Sequence, residues 1–381
     1  MNFVAVIAIS WWALSVALLL ASALAAAAFP RMRRRRSARR QMQPVSAIVP
    51  IDFLEADFVG SQASLFGQTY PQYEILFAVS GHNATTMAAA RRLQDSYPAV
   101  PSRIVSSNAS IAGSPKLNTL WNAYASASHD LILTKDSNIR LEPGDLGRLV
   151  GDLTPGVGLV STISIATAPK NLAAWIEASI VNNYHARMLM LAAAAGLGFG
   201  CGKIMLFRRS DLDRAGGLQG VAWALGEDAA LASTMARLGL RIVLADRASH
   251  QVLGSRKPLE IWHRQVRWML IWRKQVPLVF VADAFCSALP SAFAGALGAP
   301  IMGANPLALA GFSIFLWLFV ETLLCLGKRW PVSIWSPAAF LGREVLIFFA
   351  RIRALATDHV VWAGAVRYAR ARPTISKPAA E

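Results

Sequence analysis

At 381 residues, 55% of them hydrophobic, with a mean hydropathy of +0.41, the chain is too apolar for an ordinary soluble domain, and a bilayer is expected to hold part of it. The formal charge of +16 would suit nucleic acid. However, the densest basic run (Arg31, Arg33, Arg34, Arg35, Arg36, Arg39 and Arg40) directly follows an apolar segment, where it reads as a topology signal that also attracts anionic headgroups, so no nucleic-acid partner is expected.

Residues 3–28 are apolar and uncharged, long enough to cross a bilayer, and followed rather than preceded by positive charge. They predict an uncleaved anchor (residues 1–29) with its N-terminus outside, then a basic cytoplasmic linker (30–43). Residues 44–258 read as an α/β domain. Strands are expected at 45–50, 73–79, 102–106, 130–135, 158–165 and 204–207, and helices at 85–97, 115–128 and 229–238. Strands alternating with helices imply a mainly parallel sheet, with ligands beyond the carboxyl ends of its strands. Residues 259–275 mix tryptophan and arginine as an interfacial amphipathic helix does. Two membrane helices are expected in 276–327, at 276–303 and 306–326, with Asn305-Pro306 as the turn between them. Residues 328–366 read as an interfacial or third membrane segment, and 367–381 as a disordered basic tail. Asp283 and Glu321 lie near the ends of their apolar spans and are expected to snorkel to the interface. Cys201, Cys286 and Cys325 show no zinc or disulfide spacing, which fits a catalytic part facing a reducing cytoplasm.

Three features carry chemistry. Asp136 ends an apolar strand, where a carboxylate faces the crevice; it serves either as a metal ligand, with Ser137 and Asn138 as neighbouring hard oxygens, or as a helix cap. Glu227 and Asp228 open a helix, where the dipole keeps a carboxylate ionised, as a general base also requires. Arg264 and Arg267 lie three apart on one helical face, suited to gripping a diphosphate, with Trp268 next to them either stacking on an acceptor or lying at the interface. Lys116 and Asn118, at a helix start, could bind a donor or form plain helix surface. Lys203, after the glycine-rich run 196–202, faces donor phosphates or ends a simple turn; the run lacks P-loop spacing. In this order the features read as a membrane-bound enzyme that moves a sugar from a nucleotide-sugar to a lipid.

The same stretches resemble the ceramide glucosyltransferases of glycosyltransferase family 21, within the GT-A superfamily. Residues 69–76, Thr-Tyr-Pro-Gln-Tyr-Glu-Ile-Leu, are similar to the family's "YPxYEVL" strand, and 115–120 to its "PKxNNL" segment. Residues 130–141 resemble "DLIxxxDSxIRV", which places Asp136 at the metal-aspartate position. Tyr184-His185-Ala186-Arg187 resembles an "SHPR" segment whose histidine is tied to activity, so His185 is carried over. Residues 211–218 are similar to "DVLDQAGGL", Gly226-Glu227-Asp228 to "AED", whose aspartate is the base, and residues 264–268 to (Q/R)xxRW. The resemblance implies a GT-A fold, an α/β nucleotide-sugar-binding sheet with membrane helices at both ends. It also implies Mg2+ or Mn2+ on Asp136, a UDP-sugar donor, with glucose as the sugar, and a ceramide-like lipid acceptor in the bilayer. The chain departs from the pattern where the family has an acidic residue after the second strand. Here that position reads Ser80-Gly81-His82-Asn83, leaving His82 or Asn83 to meet the nucleoside. Nearby, at the end of the first strand, Asp52 and Glu55 are the carboxylates that could compensate. The missing acid also motivates the alternatives, a non-catalytic relative that binds lipid or a partner, or a transferase for diacylglycerol or a hopanoid.

Overall fold

The computed structural model describes residues 3–32, 42–81, 83–362 and 365–369. The described strands, in chain order, are β1 (Val45–Ile51), β2 (Tyr73–Ser80), β3 (Ser102–Ser107), β4 (Leu131–Lys135), β5 (Ile139–Arg140), β6 (Val157–Ser161), β7 (Ser164–Pro169), β8 (Ile204–Arg208), β9 (Arg241–Leu244), β10 (Ser249–Gly254), β11 (His359–Trp362) and β12 (Ala365–Tyr368). Seven of them form the central sheet, in the order β3-β2-β1-β4-β8-β6-β9. All pairings are parallel except those of β8, which runs against both neighbours. Every residue of β1 and β4 is buried. Strands covered on both faces need continuous apolar sequence, and that is how these two read. From β1 the chain steps outward to β2 and β3, then returns to β1's other flank as β4. The crevice at the carboxyl ends of β1 and β4 is therefore the topological switch point, where open α/β sheets take their ligands.

Residues 158–165, expected as one strand, form two. The chain leaves the central sheet after Ser161 and enters a small sheet, β5-β10-β7. Thr162 and Ser164 hydroxyls both meet Ser249 Oγ, at 2.9 and 2.8 Å, which ties the start of β7 to β10. The 204–207 strand is present as β8, but reversed relative to the rest.

On the apolar side, two helices among the described residues have the length and composition to cross a membrane, Phe3–Phe29 and Pro306–Lys328. Asn305 caps the second, its side-chain oxygen accepting from Leu307 N and Ala308 N at 2.9 and 3.1 Å, as the Asn-Pro turn predicts. Residues 276–303 do not form the single span expected of them. They break into Pro277–Ala282, a 3-10 turn at Asp283–Phe285, Ala288–Gly298 and a second 3-10 turn at Ala299–Met302. An 11-residue helix is about 16 Å long, roughly half a hydrocarbon core. The break comes where polar groups turn inward: Asp283 pairs with Arg351, and Ser287 Oγ donates to Glu344 Oε2 at 2.7 Å. The Ala288–Gly298 helix packs on the N-terminal helix so closely that a Cβ on Gly298 would lie 2.7 Å from Ile9.

Within residues 328–366 lies a helix, Ser336–Leu355, whose Arg343 and Glu344 point into the protein. Glu321 and Asp283 do not snorkel. Glu321 Oε2 accepts from Arg343 at 2.8 Å, and both residues are buried. Arg343 also pairs with Glu344 at 2.7 Å, and Arg187 lies 3.7 Å from Glu321 while reaching Ser22 on the N-terminal helix. Burying one charge alone costs several kcal/mol, so these four residues face one another instead. Past this helix, β11 and β12 form a hairpin that the sequence reading missed.

Candidate active site

Three parts of the chain bring charge to the switch point. β4 delivers Asp136, and its ladder with β8 continues one step further, Asp136 N donating to Lys203 O at 2.9 Å. That step sets Lys203 Nζ 3.1 Å from Asp136 Oδ2. The Pro115–Ser126 helix, begun by a proline at its first position, projects Lys116 from its first turn. Lys116 Nζ lies 2.7 Å from Asp136 Oδ1 and 3.2 Å from Glu227 Oε1, and donates to Gly202 O at 2.5 Å. The Glu227–Arg237 helix opens with the two acids. Glu227 Oε2 accepts from Ser114 at 3.1 Å, while Asp228 accepts from Gly202 N at 3.0 Å and Ala229 N at 2.8 Å. The glycine-rich run makes this approach possible, since a Cβ on Gly200 would sit 2.1 Å from the Asp228 carbonyl oxygen.

This geometry separates the two aspartates. Burial would raise Asp136, but Lys116 and Lys203 hold its carboxyl at about 2. Asp228 is pushed up to about 6, first by burial and then by the neighbouring Glu227 charge. Lys116 is also desolvated, yet the Asp136 and Glu227 charges hold its pKa above the usual lysine value. One carboxylate is thus fixed as an anion, and a second titrates near neutrality. Such a divergence separates electrostatic from proton-transfer roles.

The Pro258–Gln275 helix carries the arginine-tryptophan box, and its two arginines are not equivalent. Arg264 pairs with Glu177, a buried carboxylate that also lies 3.1 Å from Arg256 Nε; Arg256 in turn meets Glu55 at 3.0 Å. Arg264 therefore belongs to an ion-pair chain that fastens this helix to the Leu172–Ser179 helix. Arg267 makes no such pair among the described residues. Its guanidinium lies 4.0 Å from the centroid of the Trp362 ring, on β11, and burial with the nearby Arg264 charge lowers its pKa to about 10. The hairpin is held over this helix by Asp358, which pairs with Arg273 and, at 2.8 Å, with Lys274.

His185 sits in a π-helical turn, Ile180–Ala186, with its ring 5.0 Å from Trp268 and 5.1 Å from Trp272. Burial, then Arg343, drops its pKa to about 3, so it is a neutral ring packed against both tryptophans. Asn118 spends its side chain on its own loop, its oxygen accepting from Ile111 N and Ala112 N at 3.0 and 2.8 Å. Asn83 caps the Ala84–Ser96 helix through Thr86 N and donates to Asp52 O at 3.3 Å. His82 lies outside the described residues.

The structure thus gathers Lys116, Asp136, Lys203, Glu227 and Asp228 around one point, packs His185 against Trp268 and sets Arg267 on Trp362 along the same helix, and turns Arg264, Asn118 and Asn83 to supporting contacts. The sequence reading missed Glu177 and Trp362. A lone glutamate in the apolar run 172–181 was the available signal for the first. The β-branched and aromatic run Val360-Val361-Trp362 was the signal for the second.

The family model described as Glycosyl transferase family 21 matches residues 7–375. Ceramide glucosyltransferase 1 of Caenorhabditis elegans is 22% identical over 325 residues, covering 84% of this chain and 70% of the relative. The ceramide glucosyltransferase of Komagataella phaffii is 26% identical over 233 residues, covering 53% of this chain and 46% of the relative. Among solved structures, the mannosyltransferase PcManGT from Pyrobaculum calidifontis, in complex with GDP-Man and Mn2+, superposes with a TM-score of 0.55 at 17% identity, over 93% of this chain and 99% of that one. That likeness is one of fold, and it is the GT-A arrangement the sequence motifs imply.

Proposed function

The chain belongs to glycosyltransferase family 21, and on that premise we propose that it transfers one sugar, glucose by analogy with its named relatives, from a nucleoside-diphosphate donor, UDP as the motif resemblance implies, to the hydroxyl of a ceramide-like membrane lipid. The observation that carries this reading is the split pair at the switch point: Asp136 held ionised between two lysines, and Asp228, bonded to Gly202 N across the same crevice, with its pKa raised to about 6 by burial and Glu227.

Asp228, with a pKa of about 6, accepts the proton of the acceptor hydroxyl. Lys116, Lys203 and Arg267 neutralise the departing diphosphate. Trp268, oriented by His185, shapes the wall along which the lipid reaches the crevice. Glu227 holds Lys116 in place. Among the described residues no three or more His, Cys, Asp or Glu side chains form a metal cage. Mg2+ and Mn2+ do not demand one in phosphate chemistry, because one or two carboxylates plus substrate phosphates suffice, and Asp136 supplies such a carboxylate. When bound there, the ion would neutralise charge developing on the leaving group. The N-terminal and Pro306–Lys328 helices hold the enzyme in the bilayer, with the crevice on the cytoplasmic side set by the basic linker.

The test uses purified protein in lipid nanodiscs with Mn2+, ceramide and a panel of labelled nucleotide-sugars. Label entering the lipid phase supports the reading and names the donor. No label from any donor, with ceramide and then diacylglycerol as acceptor, favours the non-catalytic alternative.

A further inference from the structure

Of the parallel strands flanking the switch point, β4 delivers Asp136, β1 delivers Asp52, and β2 ends in Ser80-Gly81 without a carboxylate. Two acids near the end of β1 were candidates for a role in the crevice, and the structure distinguishes them. Glu55 is spent, with one oxygen 3.0 Å from Arg256 and the other accepting from Asn138 Nδ2 at 3.2 Å. Asp52 is not. Its Oδ1 accepts from Thr119 Oγ1 at 2.8 Å, and its carbonyl accepts from Asn83 Nδ2 at 3.3 Å. Among the described residues its second carboxylate oxygen has no hydrogen bond or ion pair. The residue is solvent-exposed on one side, yet packed deeply enough for burial to raise its pKa, and it feels the charges of both Asp136 and Lys116. The Thr119 bond thus sets Asp52 beside the crevice that holds those groups. Thr119 lies one helical turn beyond Lys116 on the same helix, so one element fixes both the Asp52 carboxylate and the phosphate-side lysine.

We infer that Asp52 is the nucleoside-recognition residue of this chain, its free carboxylate oxygen accepting a hydrogen bond from a ribose hydroxyl of the donor. The inference rests on the donor reading above. Its chemistry is that of a strand-end acid on a ribose, the way open α/β sheets hold nucleotides at their switch points. The role enters from β1, the central strand, instead of from β2, and Asn83 contributes by fixing the backbone of Asp52 in place of touching the nucleoside itself.

The test is calorimetric titration of full-length protein in nanodiscs, at fixed Mn2+, with UDP and 2′,3′-dideoxy-UDP, and with the corresponding guanosine pair. Wild type should bind the ribonucleotide about tenfold or more tighter than its dideoxy form. Asp52→Asn should lose that margin on the ribonucleotide and no longer distinguish the two. Thr119→Val, which frees the carboxylate without altering its charge, should reduce the preference in the same direction by less. Equal binding of the two nucleotides by wild type, or an undiminished preference in Asp52→Asn, overturns the assignment. The wild-type comparison decides even where the variant fails to fold. A wild type that binds neither UDP nor GDP overturns the donor reading itself, a separate outcome.

Discussion

Two clusters of charge in this molecule each set two basic side chains against two acidic ones and are treated in opposite ways. In the membrane-side cluster, Arg187, Glu321, Arg343 and Glu344 are all at most 2% exposed, and Arg343 bonds both glutamates. The switch-point cluster of Lys116, Asp136, Lys203 and Glu227 keeps between 11% and 26% of each side chain open, and Lys116 is shared among three acceptors. The first cluster ties together the N-terminal, Pro306–Lys328 and Ser336–Leu355 helices and the π-turn that carries His185. The second remains able to exchange its partners for a ligand. Closed charges hold the frame, and open ones act within it.

The largest expected effect breaks the open cluster. Asp228→Asn should lower turnover by roughly 10²–10⁴-fold, the range for losing a general base, with the thermal melting temperature unchanged. In the closed cluster, Arg343→Met leaves two buried carboxylates unpaired and should cost about 3–5 kcal/mol of stability, read as loss of monodisperse protein in detergent. If Arg343→Met folds as well as wild type while Asp228→Asn does not, the contrast is the wrong way round.

A pH profile sharpens the comparison. A base of pKa about 6 works when deprotonated, so kcat/KM should fall as pH drops through that value and level off above it. Asp136, at about 2, contributes nothing to that limb because it stays ionised throughout. A limb unchanged in Asp228→Asn would assign it to another group. The smallest effect belongs to the hairpin: Trp362→Leu removes a cation–π contact of about 0.5–2 kcal/mol and should change KM for the donor several-fold with stability nearly intact.

β1, β2 and β4 were legible because near-complete burial forces apolar runs; they and the edge strand β3 match their expected ranges to within about a residue at each end. Asp136 and Asp228 were legible because strand ends and helix starts are where open sheets present chemistry. The reversal of β8 was not, since an apolar run carries no direction. Nor was the break in residues 276–303, because composition measures apolarity and the break depends on Asp283 and Ser287 finding partners in the Ser336–Leu355 helix. The division of labour between Arg264 and Arg267 escaped for the same reason. Spacing puts both on one face, while Glu177 and Trp362, distant in sequence, decide what each one meets.

The most direct measurement is to record UDP binding and sugar transfer on the same Asp228→Asn sample in nanodiscs, beside wild type. The account predicts that the variant binds UDP with wild-type affinity and transfers label to lipid at least about a hundredfold more slowly. Transfer at wild-type rate by that variant would contradict it, because the switch-point crevice would then lack the base on which the proposed reaction depends.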